Sequence, residues 1–335
     1  MNIRLTQIDG KLPNLALMKL AHWYKAKRHR VYFTRHTYRQ LDEARVEYDA
    51  VYGSAIFGFS KPAIDTFRDQ WPGAVLGGTG VNLEATVEGI IGEYEHYDYS
   101  IYPDYDFSIG FTQRGCRLNC GFCVVPKKEG RPRATNTIAE IWRGPGYPKK
   151  ICLLDNDFFG QPRSEWRARI AEIRDGGFKV CFNQGLNVRL LDQESCDALA
   201  TVPYYDDQFK TRRLYTAWDN LKDEGIFFKG VDMLERAGIS PKRLMVYMLI
   251  GYDKSETMER IMYRFDRMVE RGISPYPMVY NNSDRALKWF QRWVVRRYYK
   301  LKNEDGSQRF PFADFTLAGL RDSKKPDLDG QGVLL

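Results

Sequence analysis

"RRLYTAWDNLKDEGIFFKGVDMLERAGISPKRLMVYMLIG", residues 212–251, passes from one apolar run through an amphipathic stretch to a second apolar run. "RRLYTAWD" and "RLMVYMLIG" are rich in aromatic and aliphatic residues and read as strands, while "GIFFKGVDMLERAG" between them has the apolar spacing of a helix. A helix linking two strands is the usual crossover of a parallel pair.

The same unit repeats outward in both directions. "SIGFTQ", "KKICLLDND", "KVCFNQG" and "YPMVYN" read as further strands, and "TNTIAEIW", "SEWRARIAEIRDG", "DQESCDALA" and "SETMERIMYRFDRMVERG" as helices. Six β/α-type repeats over residues 108–282 predict a partial (β/α)6 TIM-type barrel, whose chemistry gathers at the C-terminal ends of its strands. Residues 1–94 alternate as well, with strands at "NIRLTQI", "RVYFTR", "YDAVYGSAIF" and "GAVLGGTG" and helices at "NLALMKLAHWYKAK", "AIDTFRDQW" and "NLEATVEGIIGEY". They predict a small Rossmann-like parallel α/β domain ahead of the barrel. Gly77, Gly78 and Gly80 at its last strand suit either close approach to a ligand or a tight turn.

The aromatic, acidic stretch at 95–107, "EHYDYSIYPDYDF", breaks the rhythm and reads as a linker. Residues 283–335 read as an aromatic, basic helix and a tail whose last dozen residues are expected to be disordered.

A chain of 335 residues has room for two domains, and its 43% hydrophobic and 28% charged residues are ordinary for a globular protein. No run approaches the roughly 18 apolar residues of a membrane span, and the N-terminus lacks a signal-peptide pattern, so a cytoplasmic protein without a membrane partner is expected. The net charge of +8 leaves two readings of the helix around Leu287–Lys300. Arg292, Arg296 and Arg297 meet nucleic-acid phosphates with Trp289 or Tyr298 stacking on bases, or the helix closes the barrel mouth with its tryptophans buried.

Three of the six cysteines, Cys116, Cys120 and Cys123, fall within "GCRLNCGFC" at a CxxxCxxC spacing. In a reducing compartment such a group points to metal or chemistry rather than disulfides. A closed zinc site needs a fourth ligand, yet His22, His29, His36 and His96 all lie upstream, and Cys152, Cys181 and Cys196 read as small core residues. Three thiolates suit a 4Fe-4S cluster that keeps one iron open.

The spacing, Phe122 before the last cysteine and the surrounding "QRGCRLNCGFCVVPKKEGRPR" resemble the radical S-adenosylmethionine (SAM) superfamily, especially members with a cobalamin-binding domain and the methylthiotransferases. The resemblance implies an enzyme in which Cys116, Cys120 and Cys123 hold a 4Fe-4S cluster. SAM chelates its open iron, and an electron from a donor such as flavodoxin or ferredoxin releases a 5'-deoxyadenosyl radical. It implies that Asp155, Asn156 and Asp157, standing where the family has Gly-Gly-Glu, hold the methionyl amine, and that Asn183, Gln184 and Arg189 meet the ribose or the SAM carboxylate. The family's Gly-x-Glu-Ser is replaced by "YTAWDNLKDE", which makes Asp219 the stand-in for the ribose carboxylate and Trp218 substrate-facing. Leu249, Ile250 and Gly251 are implied at the adenine, with Glu256 in the turn that follows.

Cobalamin is left open, because the first loop, "QIDGKLPN", lacks the histidine of the family's Asp-x-His-x-x-Gly. A methylthiotransferase would need further N-terminal cysteines, and none precedes Cys116. The reaction, methyl transfer or another radical modification, and the substrate, small molecule or macromolecule, are not readable. The alternative is a non-enzymatic iron-sulfur redox or nucleic-acid-binding protein whose cluster is structural.

Overall fold

A computed structural model describes residues 1–315. The chain divides into two units, Met1–Asp106 and a second that begins at Phe107.

In the first unit, β1 (Asn2–Gln7), β2 (Arg30–Thr34), β3 (Ala50–Ser54) and β4 (Val75–Gly77) form one sheet in the order β2-β1-β3-β4. All its pairings are parallel. Between the strands run α1 (Leu15–Ala26), whose N-terminal N–H groups are capped by Asn14, and α2 (Lys61–Gln70). Ile3 and Leu5 of β1 pack with Leu17, Met18 and Leu20 of α1. The alternate residue Arg4 is fully buried, which a charge tolerates only when fully partnered. Its guanidinium pairs with Glu43 at 3.2 Å, donates to the carbonyls of His36 and Tyr38, and lies 4.5 Å from the centre of the Trp71 ring.

Two expectations for this unit are corrected. Residues 95–106 belong to the first unit rather than to a linker: Ile101 and Tyr102 are buried with Ile3, Leu5 and Met18, and the Tyr102 hydroxyl accepts the Asn14 N–H. An aromatic-rich stretch has too much apolar area to stay in water. The helix expected over 82–94 shrinks to α3 (Val87–Ile91), because the Asn82 side chain takes the N–H groups of Glu84 and Ala85 into a turn and Gly92 ends the helix at φ +75°.

The second unit carries β5 (Ser108–Gly110), β6 (Gln113–Arg114), α4 (Val125–Glu129), β7 (Arg133–Ala134), α5 (Ile138–Ile141), β8 (Lys150–Leu153), α6 (Arg163–Gly176) and β9 (Lys179–Phe182). Then follow α7 (Gln193–Ala200), β10 (Leu214–Ala217), α8 (Glu224–Arg236), β11 (Leu244–Ile250), α9 (Met258–Glu270), β12 (Ser274–Val279) and α10 (Arg285–Val295). Strands β5-β8-β9 and β10-β11-β12 form two parallel sheets. The two meet where Leu186 N–H, just past β9, donates to the Tyr215 carbonyl of β10 at 2.7 Å. The result is a mixed α/β fold with parallel sheets, each strand expected from the pattern falling on one of these six.

Residues on one side of these strands, among them Leu153, Phe182, Leu214, Val246 and Ile250, make one core with the helices. Cys152 and Cys181 pair in register on neighbouring strands and are buried, as is Cys196 of α7. Helix α10 buries Leu287, Phe290, Trp293 and Val294, and the Trp293 indole donates to the Phe310 carbonyl at 2.8 Å. Among the described residues no helix is long and apolar enough to cross a membrane. The chain end expected to be disordered lies outside the described residues.

Candidate functional site

The cysteines stand at the carboxyl end of β5, on a loop closed at its base by the antiparallel pair β6 and β7. Gly115 makes the turn into it at φ +84°, and a side chain there would overlap the Arg131 carbonyl. Glu129 holds the two arms together: one carboxylate oxygen pairs with Arg114 at 3.1 Å, and the other accepts Gly115 N–H at 3.1 Å and the Asn156 amide at 2.9 Å. The Arg114 ion pair and the Gly115 hydrogen bond lower the Glu129 carboxyl although burial opposes them.

A second anchor comes from β8. Arg117, next to the first cysteine, is gripped by Asp157 through Nε at 2.7 Å and Nη2 at 3.0 Å, the forked geometry a guanidinium offers a carboxylate. The buried Asp155 accepts Thr112 N–H at 2.7 Å, Gln113 N–H at 3.2 Å and the Thr112 hydroxyl. Asp155, Asn156 and Asp157, implied as ligands of an amine, are therefore engaged in fastening the cysteine loop to the end of β8.

Burial pushes the Asp155 carboxyl up to about 7 despite three hydrogen bonds that favour its charged form. An acid whose pKa is raised on folding lends stability that is complete below its unfolded value near 3.9 and is lost as pH rises to about 7. Asp155→Asn keeps acceptors and a donor in place without titrating. The urea midpoint of the native chain is expected to fall between pH 4.5 and 7.5 relative to that of the variant; parallel curves would show that Asp155 is ionised throughout.

Cys116, Cys120 and Cys123 are free and half-buried. Burial raises Cys116 and Cys123, and the neighbouring thiols raise them further: Cys120 and Cys123 act on Cys116, and Cys120 on Cys123. Backbone N–H groups answer this, Leu118 N–H lying 3.4 Å from the Cys116 sulfur and Val125 N–H aimed at Cys123. Among the described residues no three His, Cys, Asp or Glu side chains already converge as a metal-holding set. What the loop offers is a set of three soft donors whose mutual repulsion a bound cation would relieve.

The ends of the other strands reach the same loop. Arg189, past β9, forms an ion pair with Asp223 at 2.7 Å and comes within hydrogen-bonding reach of Cys120. Asp219, past β10, accepts Leu249 N–H at 3.0 Å and acts electrostatically on Cys123. Burial raises its carboxyl, against Leu249 N–H, Arg189 and Arg264. Phe122 meets Tyr252, past β11, edge to face at 5.3 Å. Asn183 is half-buried and Gln184 exposed, and their side chains carry no hydrogen bond among the described residues.

Two implied residues face elsewhere. Ile250 is wholly buried in the helix-side core, whereas Leu249 is half-buried on the opposite face of β11, like Met245 and Tyr247. Trp218 is also buried, stacked on Phe227 at 5.0 Å, so it is a core residue and not a substrate-facing one. Gly251, at φ +78°, donates its N–H to Glu256 at 2.9 Å.

Arg264 escaped the sequence reading because a mid-helix arginine looks solvated. It is buried, paired with Glu256, and donates to the carbonyls of Trp218 at 2.8 Å and Leu249 at 2.9 Å. It clamps the ends of β10 and β11 that carry Asp219 and Leu249.

In the first unit, Asp9 at the carboxyl edge of the sheet accepts the N–H groups of Ile56 and Phe57 at 2.7 and 2.9 Å. Side chains at Gly78 and Gly80 would overlap the backbone of Ala55 and Phe57, so these glycines serve loop packing. The β1–α1 loop of this edge carries no histidine, while Gly58, past β3, is exposed with open space beside it.

No family model matches the chain, and no curated protein matches it in sequence.

Proposed function

We propose that the chain is a radical SAM enzyme built on a partial (β/α)6 barrel, with Cys116, Cys120 and Cys123 as the ligands of a 4Fe-4S cluster. The observation that carries this reading is the gathering of groups from three further strand ends around a loop of three half-buried thiols: Arg189, Asp219 and Tyr252. A merely structural cluster needs no such surroundings.

When bound, the cluster and SAM supply one-electron reductive cleavage of the sulfonium, and the substrate is modified by the radical chemistry that follows. The chain's own residues bind and orient. Three thiolates leave one iron for the amino-acid end of SAM. Arg189 brings a cation suited to its carboxylate, and Asn183, Gln184 and the second oxygen of Asp219 are polar groups without protein partners among the described residues. Leu249 offers apolar surface for the adenine. The reducing cytoplasm would keep the thiols free, and a flavodoxin- or ferredoxin-type protein would deliver the electron.

The test is anaerobic reconstitution with iron and sulfide, followed by dithionite and SAM. About four irons per chain and 5'-deoxyadenosine well above a Cys123→Ala control are expected. Bound iron with no 5'-deoxyadenosine would move the protein to the structural-cluster class.

A further inference from the structure

Helix α10 has two faces with different fates. Its apolar face is buried, as described above, and its outer face carries Arg285, Lys288, Arg292 and Arg296, all exposed. At 100° per residue these four lie within an arc of about 80°, between a fifth and a quarter of the helix circumference, and span about 16 Å. None has an ion pair among the described residues, and no acidic residue occurs between Arg285 and Lys300. A solvated helix face normally mixes its charges, as α6 and α9 do with Arg169–Glu172 and Arg267–Glu270. The acid at the head of the stripe is already engaged, since Asp284 caps the helix by accepting Leu287 N–H.

The stripe starts at the site. Arg285 follows the carboxyl end of β12, where Tyr280 N–H pairs with the Ile250 carbonyl. There Tyr252 and Tyr280 meet at 4.9 Å while staying 40% and 55% exposed. Tyr252 also touches Phe122 of the cysteine loop, so an aromatic surface runs from the cysteines to the head of α10. Tyr298 is buried and Trp289 is half-buried against Phe315, which removes both as stacking platforms.

We propose that this surface binds a single-stranded nucleic acid, with phosphates along Arg285, Lys288, Arg292 and Arg296 and a base on Tyr252 and Tyr280, and that this strand is the enzyme's substrate. Aligned cations without ion pairs, of which Arg292 also lies 5.7 Å from the centre of the Trp289 ring, and exposed rings beside them are the two parts such recognition needs. A membrane surface fits less well, because the apolar face of α10 is already buried in the core. The substrate assignment rests on the radical SAM reading; the binding surface does not.

The experiment is fluorescence anisotropy of a labelled 20-nucleotide single-stranded RNA, and its DNA counterpart, with the full chain at several potassium chloride concentrations. The variant Arg285→Glu/Lys288→Glu/Arg292→Glu/Arg296→Glu is expected to bind at least tenfold more weakly and to lose about three units of the slope of log affinity against log salt. Tyr252→Ala/Tyr280→Ala is expected to lose about tenfold in affinity with the slope unchanged. Circular dichroism shows whether each variant folds; for one that does not, Arg292→Gln alone, expected to lose about 0.7 of a slope unit, replaces it. An unchanged slope in the charge variant, native affinity in the tyrosine variant, equal displacement of the strand by polyglutamate, or tighter binding to anionic vesicles would each overturn the proposal. Because the anisotropy is measured without iron or SAM, its failure leaves the cleavage reading standing, and failure of cleavage leaves the binding result intact.

Discussion

Replacing any one of Cys116, Cys120 and Cys123 by alanine is expected to remove bound iron almost entirely and to abolish 5'-deoxyadenosine formation. The three thiols share one loop, and among the described residues no set of three His, Cys, Asp or Glu side chains already converges, so nothing stands ready to replace a lost thiol. Two thiolates cannot hold what three hold. The loop itself should survive, because its supports, Glu129 on Arg114 and Asp157 on Arg117, do not involve the sulfurs. The matched control is Cys196→Ala, which removes a core thiol of α7. It should keep full iron after reconstitution and desalting, at a modest cost in stability. Iron retained at the native level in Cys120→Ala would refute the ligand assignment.

Arg264→Met is expected to destabilise the second unit by about 3–5 kcal/mol, the usual cost of removing one partner of a buried ion pair. Glu256 would keep only Gly251 N–H, and the carbonyls of Trp218 and Leu249 would lose their donors. Unpaired buried acceptors cost more than the hydrogen bonds had gained. Adding Glu256→Gln should recover part of the loss, because no buried charge then remains. The check is urea unfolding followed by near-ultraviolet circular dichroism, in which Trp218 and Trp293 report on the packed core. A double variant that loses as much as the sum of both single variants would show that the pair is not coupled.

The sheet strands were readable because each is a short apolar run beside an amphipathic helix, and parallel order follows from that alternation alone. The facing of individual residues was not. Strand β11 is apolar at every position, since parallel strands have cover on both faces, so period alone could not tell Leu249 from Ile250. The cysteines were legible as a set by spacing. Their supports were not, because Arg117 and Asp157 are 40 residues apart and Arg264 and Trp218 are 46 apart. Composition misled at 95–106, where acidic residues suggested exposure while Ile101 and Tyr102 supplied the buried area.

The separation between the cysteine loop and its anchors also sets an order of events. Arg117 with Asp157, and Thr112 with Asp155, join positions about forty residues apart, so the loop cannot be set until β8 has been made and has paired with β5. During synthesis the three thiols leave the ribosome before the carboxylates that will hold their loop. Iron loaded in that interval would meet a loose chain, whereas iron loaded afterwards meets a loop already fastened on both sides. If the proposed cluster is bound, its loading would follow folding of the sheet, and the newly made chain would pass through a period in which oxygen can reach its cysteines first.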